Sequence, residues 1–141
     1  MSPQSKIKVM SRNKNHELIM QVIYIELTYI AMNLEIDIPS MMEGVFKTPF
    51  KDIDMFSKGV VIKASSNINQ IIPIIEKSLI SWKFSRISRV AQAILIMSYT
   101  HYKYLEKVDR AVVIEIAVKL AKKYLDANEY KFINGVLDKI L

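Results

Sequence analysis

The sequence predicts an all-α fold, a compact helical bundle of about six or seven helices. Apolar residues recur three and four positions apart along most of the 141-residue chain, a spacing that places them on one face of a helix. Alternation of apolar and polar residues, which is typical of a half-buried strand, is nowhere sustained over more than a few residues. Serine, aspartate and asparagine also precede several of the periodic segments, where they can cap helix N-termini.

The first half of the chain is predicted to hold a long helix, a loop and a further helix. The first helix runs from about Arg12 to Asn33, and its core stripe consists of Leu18, Ile19, Val22, Ile23, Leu27 and Ile30. Residues 34–51 contain two prolines and a glycine, which predicts a loop with one short helical turn around residues 41–46. Asp52 or Asp54 can cap the next helix, and the polar stretch SSNIN, residues 65–69, is expected to interrupt it.

Three more helices follow before the C-terminal segment. A helix over residues 69–82 would carry Pro73 in its first turn, where the missing amide donor does little harm. Another helix starts near Ser85 and fades through the aromatic stretch YTHYKY. Asp109 can cap the third, whose last turn ends in Lys122 and Lys123, as the helix dipole favours.

The C-terminal segment KFINGVLDKIL contains Asn134-Gly135, a dipeptide that often marks a hairpin turn. Its apolar residues nevertheless follow helical spacing, and Asp126 and Glu129 have the spacing of a capping box, so a helix is predicted. A glycine inside a helix costs roughly 1 kcal/mol relative to alanine. We therefore expect Gly135 to allow close approach of another backbone or a ligand, and tight packing against the first helix is the preferred explanation.

The net charge of +6 favours a polyanionic partner. Residues 1–16 hold Lys6, Lys8, Arg12, Lys14 and His16 without a carboxylate, which predicts a basic flexible arm over residues 1–11 ahead of a single domain over residues 12–141. A solvated tail and a phosphate-binding arm fit this charge pattern equally well. The chain has no cysteine, no secretory signal and no apolar run long enough to span a membrane, so a cytoplasmic location is expected.

The sequence contains no recognisable catalytic, metal-binding or cofactor-binding motif, so we expect a binding protein and not an enzyme. The two histidines, His16 and His101, are far apart in sequence and lack metal-ligand spacing, which favours ordinary surface or half-buried roles. The three glycines are isolated and cannot form a nucleotide-binding loop. Asp52 and Asp54 are better interpreted as helix-start residues.

Three segments resemble the NusB family of bacterial transcription antitermination factors. They are SRNKNHELIMQVIYIELT, WKFSRISRVAQAILIMSY and, most specifically, AVVIEIAVKLAKKYLDANEYKFINGVLDKIL. The resemblance implies two small helical sub-bundles and no catalysis. It implies binding to a single-stranded boxA-type element of nascent ribosomal RNA together with NusE, a ribosomal protein, and through them an indirect association with the RNA polymerase elongation complex. A homodimer is a further partner that the sequence leaves open.

The resemblance also implies a set of RNA-contact residues, which combines the basic opening with the start of the last helix. The set is Lys8, Arg12, Lys14, His16, Tyr24, Asn128, Lys131, Phe132 and Asn134. Cationic side chains would neutralise phosphates, aromatic rings would stack on unpaired bases and asparagine amides would read base edges. Helical spacing alone favours a core position for Tyr24 and Phe132, Lys131 can be simply solvated, and Asn134 can form a local hydrogen bond beside Gly135.

The chain departs from the family pattern at several polar positions. The family usually has an arginine where this chain has Ile96, a Tyr-Glu pair at residues 100–101 and an Asn-Glu-Ala triplet at residues 115–117, and its opening is richer in arginine. Two alternative functions therefore remain open. One is a protein-interaction scaffold that has lost RNA recognition, and the other is a standalone relative of the RNA-binding module of ribosomal RNA cytosine methyltransferases.

Overall fold

The structure, a computed structural model, describes residues 12–141, and this part of the chain folds into six α-helices without a strand. The helices are α1 (Arg12–Ala31), α2 (Ile38–Phe46), α3 (Met55–Ser78), α4 (Arg89–Tyr104), α5 (Arg110–Tyr124) and α6 (Ala127–Ile140). Two short 3-10 turns, Phe50–Asp52 and Phe84–Arg86, precede α3 and α4. The predicted all-α class is confirmed. The predicted arm over residues 1–11 lies outside the described residues.

Helix α4 forms the centre of the molecule. Every residue from Ala93 to His101 is buried, because α4 packs against α1, α3, α5 and α6. The most extensive contacts of α4 are with α3 and α1, and it also packs on α5 and α6, so α4 joins the first three helices to the last two. The buried hydroxyls of Ser98 and Thr100 each donate to a carbonyl one turn earlier, both at 2.7 Å. Both hydroxyl donors are therefore satisfied within the helix.

Helix α3 is one 24-residue helix where the sequence predicted two. The expected interruption at residues 65–69 is absent, and Pro73 lies inside the helix. A continuous apolar stripe explains this, because buried or half-buried side chains follow helical spacing from Val60 through Ala64 and Ile68 to Ile75. The Asn67 amide donates to the carbonyl of Lys63 at 2.8 Å, which satisfies it within the helix. Packing against the core therefore outweighs the weak helix propensity of residues 65–69.

Helix α2 is longer than the single turn predicted for this region. Asp37 caps it by accepting from the amide of Ser40 at 3.1 Å, and a proline lies in its first turn, where an amide donor is not needed. Met41, Met42 and Phe46 anchor it in the core. The helical turn predicted around residues 41–46 is therefore part of a longer helix, and the loop prediction is wrong at residues 38–40.

Two boundaries and one core residue also differ from prediction. Helix α4 is capped by Ser88 and not by a residue near Ser85, which lies in the preceding 3-10 turn. It continues through the aromatic stretch to Tyr104 because most of that stretch is buried or half-buried against neighbouring helices. Ile30, near the end of α1, is exposed. The predicted Asp126 cap is confirmed, since its carboxylate accepts from the amide of Glu129 at 2.9 Å.

Gly135 lies inside α6, as predicted, but the packing reason expected for it is wrong. A Cβ atom built at this position has no neighbour within 4 Å. The tightly packed glycine is instead Gly59 in α3, where a Cβ would lie 3.1 Å from Leu105 Cδ1. Nothing described in the fold therefore requires the absence of a side chain at Gly135.

None of the helices described between residues 12 and 141 combines the length and the apolar character that a membrane span requires.

Candidate nucleic-acid interface

A basic cleft of about 340 Å³ lies where the start of α1 meets the end of α5. We call it the lysine cleft, and its lining residues are Asn13, Lys14, His16, Glu17, Ile116, Lys119, Leu120 and Lys123. Three lysines and one carboxylate give this cleft a net positive charge. Such a cleft attracts a phosphate backbone.

Glu17 holds the lysine cleft together. The residue is only 6% exposed; one carboxylate oxygen accepts from Lys14 Nζ at 3.2 Å, and the other accepts from Lys123 Nζ and from the Tyr124 hydroxyl at 2.8 Å. The hydrogen bond from Lys123, followed by that from Tyr124, lowers the pKa of Glu17 to about 2 although burial opposes the shift. The same contact raises the pKa of Lys123. Both groups are therefore charged at neutral pH, and they join α1 to α5.

His16 is buried, with 2% exposure, and belongs to the core beneath the lysine cleft. Its ring centroid lies 5.4 Å from the rings of both Phe56 and His101, which are themselves 4.9 Å apart. Helix periodicity therefore turns the His16 ring inward, and its contact with RNA stays a prediction. Within residues 12–141, no three potential ligand side chains are grouped as a metal site.

A second cleft, of about 310 Å³, lies where the start of α6 meets the turn before α4. We call it the aromatic cleft, and its lining residues are Trp82, Arg86, Ile87, Ser88, Ala91, Asn128, Glu129 and Phe132. Trp82 is 58% exposed and Phe132 is half-buried, so both offer ring surface to a ligand. Apolar rings next to a guanidinium and an amide suit an unstacked base, which needs a stacking surface and a polar edge contact.

A chain of contacts connects the two clefts. Tyr24 lies seven residues after Glu17, two helical turns along the same face of α1, and it is 38% exposed. The Arg89 guanidinium lies 6.0 Å from the centroid of the Tyr24 ring, and its Nη1 donates to Thr28 Oγ1 at 3.2 Å. Arg89 follows Ser88 of the aromatic cleft, whose hydroxyl donates to Glu129 at 3.1 Å. Tyr24 and Arg89 therefore lie between the lysine cleft and the aromatic cleft.

The structure brings together part of the predicted RNA-contact set. Asn128 and Phe132 share a face of α6 and both line the aromatic cleft, while Lys131 is exposed beside them. Asn134 is exposed but lies roughly 160° around the helix axis from Phe132. Lys14 is exposed in the lysine cleft. Lys8 and the side chain of Arg12 lie outside the described part of the chain.

Helical spacing had favoured core positions for Tyr24 and Phe132, and the structure gives neither of them a fully buried one. Three residues at or between the clefts were missing from the predicted RNA-contact set, namely Trp82, Arg86 and Arg89. They lie in one of the segments that resemble the NusB family, but the sequence analysis gave them no role. A signal was available in the sequence, because Arg86 and Arg89 are cations three residues apart that closely follow a tryptophan. Glu17 was missed as a tether because its partners, Lys123 and Tyr124, are more than one hundred residues away in the chain.

Comparison with known proteins supports the resemblance. The sequence model of the NusB family matches residues 13–141. A transcription antitermination protein NusB of Clostridium botulinum (strain Alaska E43 / Type E3) is 31% identical over 133 residues, which cover 94% of this chain and 98% of that protein.

Two solved structures share the fold. T. maritima NusB superposes with a TM-score of 0.77 at 21% identity, covering 93% of this chain and 90% of that one. A crystal structure of the antitermination factors NusB and NusE in complex with dsRNA gives a TM-score of 0.74 at 25% identity, covering 93% of this chain and 97% of that one. With the family match over nearly all described residues, these findings establish that the chain belongs to the NusB family.

Proposed function

We propose that this chain is an RNA-binding transcription antitermination factor that binds a boxA-type segment of nascent ribosomal RNA together with the ribosomal protein NusE. The observation that carries the proposal is the aromatic cleft, in which Trp82 and Phe132 offer ring surface beside Arg86 and Asn128. An exposed tryptophan next to a guanidinium has no evident role in the core, whereas both groups suit an unpaired base.

The two clefts have different tasks in this proposal. In the lysine cleft, Lys14, Lys119 and Lys123 attract the phosphate backbone, and Glu17 fixes the positions of Lys14 and Lys123. The aromatic cleft receives a base, which stacks on a ring while the Asn128 amide contacts its edge. Tyr24, held by Arg89, extends the stacking surface between them.

The relatives support the same assignment. The matched C. botulinum protein bears the name of an antitermination protein, and one structural neighbour is a complex of NusB and NusE with double-stranded RNA. By this proposal the protein acts in the cytoplasm, without catalytic activity, and reaches RNA polymerase only through its partners. Because the aromatic cleft requires an unstacked base, a single strand should bind more tightly than a duplex of the same sequence.

A titration of fluorescently labelled single-stranded boxA-type RNA, with and without NusE, tests the proposal. We expect NusE to tighten binding, and we expect the logarithm of the binding constant to fall with the logarithm of the salt concentration, by about 0.7 per phosphate neutralised. Phe132→Ala should weaken binding roughly tenfold or more, the effect of losing a stacked base. Arg86→Gln should weaken binding and also reduce the salt dependence.

Matched controls separate these effects from general damage. Phe50→Ala removes another half-buried aromatic residue, which lies outside both clefts; Lys58 Nζ lies 5.0 Å from the centroid of its ring. Lys63→Gln removes an exposed charge from α3. Both variants should bind RNA like the unmodified protein. Equal losses in the Phe132 and Phe50 variants would contradict the proposal.

The scaffold alternative makes the opposite prediction. A scaffold would bind NusE while its response to RNA stayed weak and independent of salt. A relative of the methyltransferase module would bind ribosomal RNA without any gain from NusE. The same titration therefore distinguishes all three functions.

A further inference from the structure

We propose that Gly135 keeps open a second RNA subsite, next to the aromatic cleft, that receives one more nucleotide of the same strand. This inference rests on the proposed function and adds the position of a neighbouring nucleotide to it. The subsite is a groove of about 340 Å³ between α6 and the linker that follows α3, and we call it the Gly135 groove.

The Gly135 groove is continuous with the aromatic cleft, because Trp82 and Phe132 line both. Its floor is apolar and includes Val136. Ile80, on the linker, is 90% exposed. A strand that stacks one base in the aromatic cleft would therefore find a second apolar surface bounded by the same two aromatic residues.

Neither the backbone conformation nor the packing of the fold explains the glycine at position 135. The residue has no positive φ, so its conformation does not require glycine. A Cβ atom at this position would meet nothing within 4 Å, so packing does not require glycine either. A glycine nevertheless weakens a helix relative to alanine. A missing side chain allows close approach of a group from outside the fold, and Gly135 lines a groove next to the aromatic cleft, as Gly44 does not.

The charge of the groove favours RNA over a protein segment. None of its nine lining residues is acidic, and Lys139 stands at one end while Arg86 of the aromatic cleft stands beyond the other. A strand of nucleotides with phosphates near these cations and bases on Trp82 and Phe132 would satisfy both kinds of group.

The test is to place side chains in the groove and measure binding of single-stranded RNA. Gly135→Leu should lower RNA affinity roughly tenfold by displacing one stacked base, and Gly135→Ala should lower it less. Neither variant should unfold the protein, because the added atoms have open space; we expect the thermal midpoint of Gly135→Ala to rise by roughly 2–4 °C.

Gly44 in α2 provides a matched control. It is also an exposed helical glycine whose Cβ would meet nothing within 4 Å, and it lines neither the aromatic cleft nor the Gly135 groove. Gly44→Leu should therefore leave RNA affinity unchanged.

Shortening the RNA by one nucleotide, from either end in turn, locates the subsite. If the groove holds a terminal nucleotide, one of the shortened RNAs should bind the Gly135→Leu variant and the unmodified protein equally well. Unchanged RNA affinity in Gly135→Leu would overturn the subsite, and so would a loss confined to NusE binding, which would assign the groove to a protein. If Arg86→Gln weakens RNA binding while Gly135→Leu does not, the proposed function stands and the second subsite falls.

Discussion

Replacing Glu17 with glutamine tests the tether between α1 and α5. The substitution keeps the shape of the side chain and an oxygen that can accept from the Tyr124 hydroxyl, but it removes the charge that faces Lys14 and Lys123. Both lysines then lose an ionic partner at the surface, and the start of α1 is less firmly attached to the end of α5. We expect the free energy of unfolding to fall.

The size of this loss follows from the pKa and from the exposure of the partners. A pKa held at about 2 instead of 4.5 would correspond to about 3 kcal/mol if the whole shift stabilised the fold. The side chains of Lys14 and Lys123 are 54% and 61% exposed, however, so water and salt screen both pairs. Because the Tyr124 hydrogen bond can persist, we expect Glu17→Gln to cost about 1–2 kcal/mol at pH 7.

The stabilisation by Glu17 should depend on pH, and the direction follows from its lowered pKa. The folded state lowers the pKa of Glu17 below its unfolded value of 4.5, so the stabilisation is complete above that value and is lost as pH falls toward 2. The difference in urea midpoint between the unmodified protein and Glu17→Gln should therefore be largest above pH 5 and should shrink steadily as the pH is lowered to 3.

Glu115→Gln is the matched control, because Glu115 is an exposed carboxylate on α5, the helix that carries Lys123. It removes the same charge from the same part of the protein and should change stability by less than about 0.5 kcal/mol. Equal losses for the two variants, or a Glu17→Gln deficit that stayed constant from pH 7 to pH 3, would refute the tether.

Two further predictions concern carboxylates elsewhere in the fold. Asp54 accepts from the amide of Ser57 at 2.9 Å, whereas Asp109 begins α5 without a side-chain cap, so chemical denaturation should show a loss of about 1–2 kcal/mol for Asp54→Ala and much less for Asp109→Ala. Glu26 is buried, and burial raises its pKa although Ser65 donates to it. Its ionisation therefore destabilises the fold as pH rises above 4.5, so Glu26→Gln should be stabilising at pH 7, and this gain should vanish in denaturation curves recorded at acid pH.

The parts of the fold that were predicted correctly depend on local signals. Periodicity located α1, α5 and α6. Asp126 caps α6 as predicted, whereas Asp109 precedes α5 as predicted but makes no side-chain capping hydrogen bond. The break predicted inside α3 failed because a local signal, the polar stretch before Asn69, competed with a stripe whose burial depends on α4. Ile68, inside that stretch, was the residue that kept the stripe continuous.

The interface was predicted less completely because its residues come together only in the folded chain. Asn128 and Phe132 were expected from the resemblance to the NusB family, and they lie one helical turn apart on α6, where both line the aromatic cleft. Trp82 and Arg86 join them through the packing of the turn before α4 against α6, which no spacing in the sequence encodes. The full burial of His16 was not predicted for the same reason, since its ring packs against Phe56 and His101, which belong to α3 and α4.

Three residues in this protein are of a type that is unfavourable for stability at their position, and two of them lie on the surface proposed for RNA. Trp82 is exposed although apolar, and Gly135 weakens a helix without a packing reason; both line the surface proposed for RNA. Glu26 is also unfavourable, because it is a buried carboxyl whose Oε1 lacks a hydrogen-bond partner within the described chain. It lines neither of the two clefts nor the Gly135 groove. Glu26→Gln should accordingly leave RNA affinity intact, whereas Gly135→Leu should lower it, because only Gly135 lines the groove proposed for RNA.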